Sequence, residues 1–585
     1  MAAARPEADG RKGAGQGGAG QGGGRKGPAG LAAVARGGTL NLAGAAVSAV
    51  TTVGVTVLVT RHFSKYVAGS FFTATSAFVI VVMIATLGAH NGLVYFIARL
   101  RSLGEDDQIP AVLRIAVIPV AVASAVLMIA MLVFANPLAH VLLSEHKGSA
   151  GGVDVITLAL RGLAFLVPFS ALENAVLGAT RGYREMRPTV MIDRVGVSIA
   201  QLVAVLAAAG AGSVALLAPL WALPYLPATI IGWVWLRKIR RRARSRPGAA
   251  LPDVPPELAA LLALATPSPQ GPGSGPSRVG SAAQPARARG AQLGRVARRQ
   301  LAKATRRDFW RFTTPRAVAT VTSTIIQRVD IVIIAIMKGP VEAAVYTAAT
   351  RFLVLGQFAG TAIARSSQPR LTELFAVRDR HGTNVVYQAT TAWLILLTWP
   401  IYLLVLVYGG TALQVFGHSY RAGYAVMAVL CIAMLAGSAI GQVDIVLITS
   451  GRSSWSMLNG MLVLVTNVGL DLWLIPGHGI LGAAIAWGAA IIVANIVPLI
   501  QLAAVYRLHP ISRGVIIAVL LSAACFLGVP LAIRTALGSG WISLALATLT
   551  GSVLMGAGTL RFRGALGLQG VARLRRLRAR RQGGR

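Results

Sequence analysis

Long apolar stretches broken by short polar ones run along nearly the whole chain, and their length fixes its class. About fourteen of them can cross roughly 30 Å of hydrocarbon as helices. They are 38–60, 67–88, 110–135, 156–180, 188–209, 213–236, 313–337, 342–364, 386–408, 423–449, 455–475, 479–501, 512–533 and 541–560. Polar residues gather in three places, 1–37, 237–312 and 561–585. Six spans precede the middle one and eight follow it. The expected fold is an all-α polytopic membrane protein with an N-lobe at 38–236, a C-lobe at 313–501 and two further helices at 512–560.

Two segments mark the lobes as copies. TVLVTRHFSKYVAGSFFTATSAF (Thr56 to Phe78) and RVDIVIIAIMKGPVEAAVYTAATRF (Arg328 to Phe352) each join two apolar runs through a short polar hinge. After the hinge each carries an aromatic-Thr-Ala start, Phe72-Thr73-Ala74 or Tyr346-Thr347-Ala348. Gly182 follows the fourth span as Gly451 follows the tenth, and AAAGAGSVALLAPL (Ala207 to Leu220) corresponds to LIPGHGILGAAIAW (Leu474 to Trp487). Six spans return the chain to its starting side, so the repeats are parallel and related by an axis along the membrane normal.

Composition agrees with a membrane chain. Of its 585 residues 55% are hydrophobic and 13% charged, against roughly 25% charged in soluble domains. The formal net charge of +37 raises the question of nucleic acid, and its distribution answers it. With a cytoplasmic N-terminus, roughly 47 of the 56 Lys and Arg fall in or beside cytoplasmic segments, the positive-inside pattern. Both termini are then expected in the cytoplasm of a cell-membrane protein. The basic inner surface suits anionic lipid headgroups and requires no nucleic acid.

The segment 1–37 is rich in Gly, Ala, Arg and Lys and reads as a disordered basic tail without the apolar stretch of a signal peptide. The segment 237–312 reads as a basic Pro/Ser/Gly-rich linker whose apolar patch, Glu257 to Thr266, is too short to span. The last 25 residues space Leu and Val among Arg as a surface-lying helix would. Cys431 and Cys525 lie in apolar spans, and the eight His are scattered, so no disulfide framework, metal site or cofactor is expected. The Gly-rich runs before residue 25 lack a following strand and P-loop lysine pattern, which removes nucleotide binding.

The stretch QRVDIVIIAIMKGPVEAAVYTAATRF (Gln327 to Phe352) resembles the start of the second lobe in polysaccharide flippases. There, an Asp late in the seventh helix precedes a Gly-containing hinge and a Tyr-x-x-Ala helix start. LIPGHGILGAAIAWG (Leu474 to Gly488) is similar to the hairpin between the eleventh and twelfth helices of the same group. With spans arranged six, six and two, the chain resembles the multidrug/oligosaccharidyl-lipid/polysaccharide exporter superfamily, and within it the oligosaccharide-lipid flippases. That resemblance implies a flippase, not an enzyme. It implies alternating access to a polyprenyl-pyrophosphate-linked glycan for cell-surface polysaccharide or cell-wall synthesis, with the last two spans bordering a groove for the lipid tail.

Intramembrane charge points to a site, because a central Arg or Asp costs about 2.5–3.5 kcal/mol or more and seeks a partner or a wet cavity. Arg328 and Asp330 lie in the seventh span and Arg351 in the eighth. Two residues apart means about 200° around a helix, so Arg328 is expected to face a cavity while Asp330 pairs with Arg351 across the hairpin. Arg is suited to a diphosphate because its planar donors match phosphate oxygens. Arg351 itself, Arg161, at the outer end of the fourth span, and Asn459, on a loose face with Asn467 and Asp471, are further substrate candidates. Glu173 and Asp444 occupy similar places in the two halves and are gating or structural candidates with Asp330.

Two other transport and binding roles stand beside this one. A multidrug cation antiporter of the same superfamily typically has twelve spans and an acidic site in its first lobe, whereas the first span here carries no acid. A scaffold would use 1–37 and 237–312 to recruit polysaccharide synthesis proteins. A membrane glycosyltransferase needs extracytoplasmic carboxylates, and the outer loop 136–155 carries just Glu145 and Asp154.

Overall fold

The computed structural model describes residues 28–143, 150–244 and 283–566. Among these residues the chain is helical, with no strand. The first half runs through α1 (Pro28–His62), α2 (Lys65–Ala85), α3 (Ala89–Ser102), α4 (Ile109–Val133), α5 (Ala135–Leu143), α6 (Ala150–Ala164) and α7 (Val167–Gly182). A π-helical turn, Thr189–Val197, then leads into α8 (Ser198–Gly210), α9 (Val214–Ala222) and α10 (Tyr225–Arg244). The second half holds α11 (Ala283–Lys338), α12 (Pro340–Ala376), α13 (Arg380–Leu413), α14 (Tyr424–Ile440), α15 (Val443–Thr449) and α16 (Ser453–Tyr506). It ends with α17 (Arg513–Ala523), α18 (Val529–Leu537) and α19 (Trp541–Arg561).

Among the described residues, eleven helical segments are long and apolar enough to cross a membrane, or twelve if the bent pair Ile156–Ala164 and Val167–Gly182 is one span. The expected count was fourteen. The stretch 342–364 falls in α12, which is not among those segments. The stretches 455–475 and 479–501 share α16, which breaks at Gly479 with φ 57° and ψ −139°. Only glycine adopts that backbone readily. A second positive-φ glycine, Gly212, turns the chain between α8 and α9 in the matching motif of the first half.

Three boundaries differ from the sequence reading. Helix α1 begins at Pro28, inside the stretch read as a tail; Pro suits a first helical position, and the Leu-Ala-Ala-Val run after it favours helix. Helices α10 and α11 extend to Arg244 and back to Ala283, so both ends of the expected linker are helical. Arg and Lys are good helix formers, and a basic run therefore prolongs a helix past the hydrocarbon. The apolar patch 257–266 and the surface-helix reading beyond residue 566 lie outside the described residues.

The largest apolar core takes residues from both halves, from Val55 on α1 to Ala484 on α16. Phe71, Phe72, Phe78 and Tyr346, four aromatics of the repeated segments, are buried in it. The outward side is apolar too. Ile118, Val122, Val126, Ile129 and Val133 on α4 are each more than half exposed, a stripe at helical spacing that would be a liability in water and belongs in lipid.

Helix α2 packs against both α11 and α12. Near their starts, a Cβ at Gly69 would overlap the Pro340 carbonyl. At this end Arg61 donates to the carbonyls of Val415 (2.8 Å) and Gln414 (2.6 Å), and Lys65 to that of Ser419 (3.0 Å). At the other end α3 lies on α11, where Tyr95 stacks on Phe312 at 4.0 Å and Asn91 donates to Thr320 Oγ1 at 3.2 Å. The halves are thus joined at both ends of the bundle. The last helices dock on α13: Trp393 Nε1 donates to the Leu566 carbonyl (2.8 Å), Tyr408 Oη meets Ser543 Oγ (2.7 Å), and Thr411 donates to the Ser539 carbonyl.

Candidate functional site

Between those two joined ends, charged residues from both halves converge. Arg328 on α11 is half-buried and Arg351 on α12 is buried. The two guanidiniums lie within coulombic range of each other. Arg351 Nε has no hydrogen-bond acceptor. Among the described residues neither central arginine is in an ion pair with a carboxylate. Arg328 also lies near Tyr225 of α10, which accepts from Gln201 Nε2 at 3.4 Å.

The expected Asp330–Arg351 pair does not form. Asp330 accepts from Tyr346 Oη at 2.7 Å and lies against Asp471 of α16, whose Oδ2 accepts from Asn467 Nδ2 at 3.2 Å. Asp330 and Asp471 are 4% and 0% exposed, and one oxygen of each lacks any donor. Two carboxyl groups in contact away from water need a proton or a cation between them. The donors gathered here are all oxygens, the type preferred by hard cations. Asp330 faces this cluster because it sits two residues from Arg328, so the helix turns the two side chains to different neighbours.

The first half contributes a second acidic pair. Glu173 on α7 is 2% exposed, with one oxygen unbonded, and it lies beside Asp193 of the π-helical turn. Arg181 and Arg194 lie near Asp193. Asp193, Gln201 and Tyr225 were not singled out from the sequence. The signal for Asp193 was present, since it is an ionisable residue inside the span 188–209.

The other candidates are placed elsewhere. Asn459 exchanges two hydrogen bonds with Gln501, at 2.8 and 2.9 Å, which joins the two arms of α16. Asp444 is exposed and accepts from Ser456 Oγ at 2.6 Å. Arg161 is exposed on α6.

No family model and no curated protein matches the chain. Solved structures do. A lipid II flippase MurJ in an inward closed conformation superposes with a TM-score of 0.62 at 11% identity, over 88% of this chain and 97% of that one. An inward-facing multidrug resistance transporter of the MATE family, of the MOP superfamily, gives 0.55 at 13% identity, over 79% and 96%.

The fold is that of the MOP exporters. In that MOP fold the site joins the two halves: Arg328 and Arg351 come from the start of the second, Tyr225, Glu173 and Asp193 from the first. Two unpaired guanidiniums out of bulk water can bind an anion bidentately, which suits phosphate groups.

Proposed function

We propose that this MOP-fold protein is a flippase that carries a polyprenyl-diphosphate-linked glycan across the cytoplasmic membrane for cell-surface polysaccharide or cell-wall synthesis. The observation that carries this reading is the Arg328–Arg351 pair. Holding two like charges close in a poorly solvated site is costly unless a ligand of opposite charge visits it, and a diphosphate is such a ligand. Binding between the halves fits alternating access, in which the contacts at one end of the bundle open while those at the other hold. The apolar surface of α17 to α19 on α13 offers the lipid tail a hydrocarbon-facing path. The distribution of Lys and Arg supports cytoplasmic termini and a basic inner surface that holds anionic lipids. Polysaccharide synthesis proteins are the partners such a role implies.

The test is transfer of a labelled polyprenyl-diphosphate sugar between leaflets of liposomes containing the protein. Wild type should transfer it and Arg328→Ala of equal abundance should not. A second reading, cation antiport, draws on the Glu173–Asp193 pair, an acidic site in the first half. It predicts uptake of organic cations that Glu173→Gln abolishes and Arg328→Ala spares, with no lipid transfer.

A further inference from the structure

The second half holds an open cavity of about 570 Å³ lined by α12, α13, α14, α15 and α16. Its chemistry differs from that of the charged site. Among the described residues, its lining includes no Asp, Glu, Lys or Arg. They include the amides of Gln357, Gln442 and Asn495 and the hydroxyls of Thr361, Ser438 and Tyr402.

The cavity is built so that polar ends reach it. On α12, Gln357, Gly360, Thr361, Ala364 and Gln368 share one face at helical spacing. A Cβ at Gly356 would overlap the Tyr402 hydroxyl, and one at Gly360 would sit 3.2 Å from Gln442 Nε2. Between α14 and α15 the chain breaks at Gly441, with φ 87° and ψ −157°. The break turns Gln442 inward, where it donates to the Gly360 carbonyl at 3.3 Å. Asn495 Nδ2 is used by the Ile491 carbonyl at 2.8 Å, which leaves its Oδ1 as an acceptor toward the cavity. Among the described residues the Tyr402 hydroxyl and the Gln357 amide make no hydrogen bond, although both line the space.

We infer that this cavity is a binding site for an uncharged sugar unit. Its volume lies within the roughly 300–1,000 Å³ of small-molecule sites. Amides and hydroxyls both donate and accept, as a ring of sugar hydroxyls requires. Among the described lining residues a charged ligand finds no counter-charge to offset the loss of its hydration. The same helix links it to the arginines: Gln357 lies about 9 Å further along α12 than Arg351 and is turned roughly 120° from it. The inference rests on the flippase reading only for the lipid handle; the sugar site itself does not need it.

The experiment measures binding of free neutral sugars (glucose, galactose, mannose and N-acetylglucosamine) and of glucuronic and galacturonic acid to the full chain in detergent, by saturation-transfer NMR. At least one neutral sugar should bind, with the matching uronic acid at least tenfold weaker. Asn495→Leu and the near-isosteric Thr361→Val should each weaken that binding, Asn495→Leu by tenfold or more. Absence of binding by every neutral sugar, equal binding of the acids, or wild-type binding in the folded Asn495→Leu/Thr361→Val double variant would overturn the assignment. Lipid transfer by a protein that binds no sugar sinks this inference and leaves the flippase reading standing. Sugar binding without lipid transfer does the reverse.

Discussion

Replacing Arg351 by methionine should separate function from stability in a way that loss of a structural ion pair would not. Arg351 is 9% exposed, its Nε meets no acceptor, and the charge within coulombic range of it is another guanidinium. Methionine keeps an unbranched apolar stem of adaptable shape. Removing one of two like charges from a poorly solvated site relieves both repulsion and desolvation, so the variant should melt no lower than wild type. Transport should respond in the opposite direction. A hydrogen bond to a charged group contributes about 1.5–3 kcal/mol, and at about 1.4 kcal/mol per decade its loss slows transfer roughly ten- to 150-fold. Arg351→Lys keeps the charge without the planar fork and should fall between the two. The assay pairs leaflet transfer of the labelled lipid in liposomes with thermal melting of the same preparations. Breaking a buried ion pair costs about 3–5 kcal/mol. A marked drop in melting midpoint, with transport lost only in proportion to folded protein, would therefore refute the anion-site argument.

Three further outcomes follow from named contacts. Tyr346→Phe removes the donor to Asp330 and should lower stability by about 1–3 kcal/mol; an unchanged thermal midpoint would show that the bond contributes nothing. Sodium should raise the melting midpoint of wild type, and Asp330→Asn and Asp471→Asn should lose that increment; an equal rise in all three removes the cation reading of the oxygen cluster. Gly69→Leu should wedge α2 from Pro340 and make a cysteine placed at Ser70 more reactive toward a soluble thiol reagent; unchanged reactivity would mean that the close approach does not hold this end shut.

Most of the spans were legible because lipid leaves a chain few choices: backbone groups must bond within the helix, and the residues must be apolar. The angle between Arg328 and Asp330 was legible for a similar reason, since it depends on helix geometry alone. Their partners were not. Whether Asp330 meets Arg351 or Tyr346 and Asp471 depends on how α11, α12 and α16 cross and rotate, which spacing within one helix does not encode. Asn459 shows the same limit: its partner Gln501 lies on the other arm of α16, brought near by the break at Gly479. Asp193 is a different case. It was visible as an acid within an apolar span and needed only to be weighed by the rule already applied to Asp330. The amide-lined cavity had no sequence signal, because glutamines, asparagines and glycines spread over four helices form no motif until the helices pack.

The order of charges across the site bears on how an anion would be held. Proceeding from the first half, Glu173 and Asp193 come first, then Tyr225, then Arg328 and Arg351. A diphosphate placed between the halves is attracted by the guanidiniums and repelled by any ionised carboxylate beyond Tyr225, and both effects are strong where water is scarce. The anion is therefore confined to the second half's side, against α11 and α12. The hinge at Gly339 joins those two helices, and Pro340 at the head of α12 makes the close approach to α2. A ligand drawn to Arg351 thus acts on the same helix whose first turn packs against the opposite half. Differential binding at that helix is what a transporter needs if its cargo is to shift the balance between two arrangements of the halves.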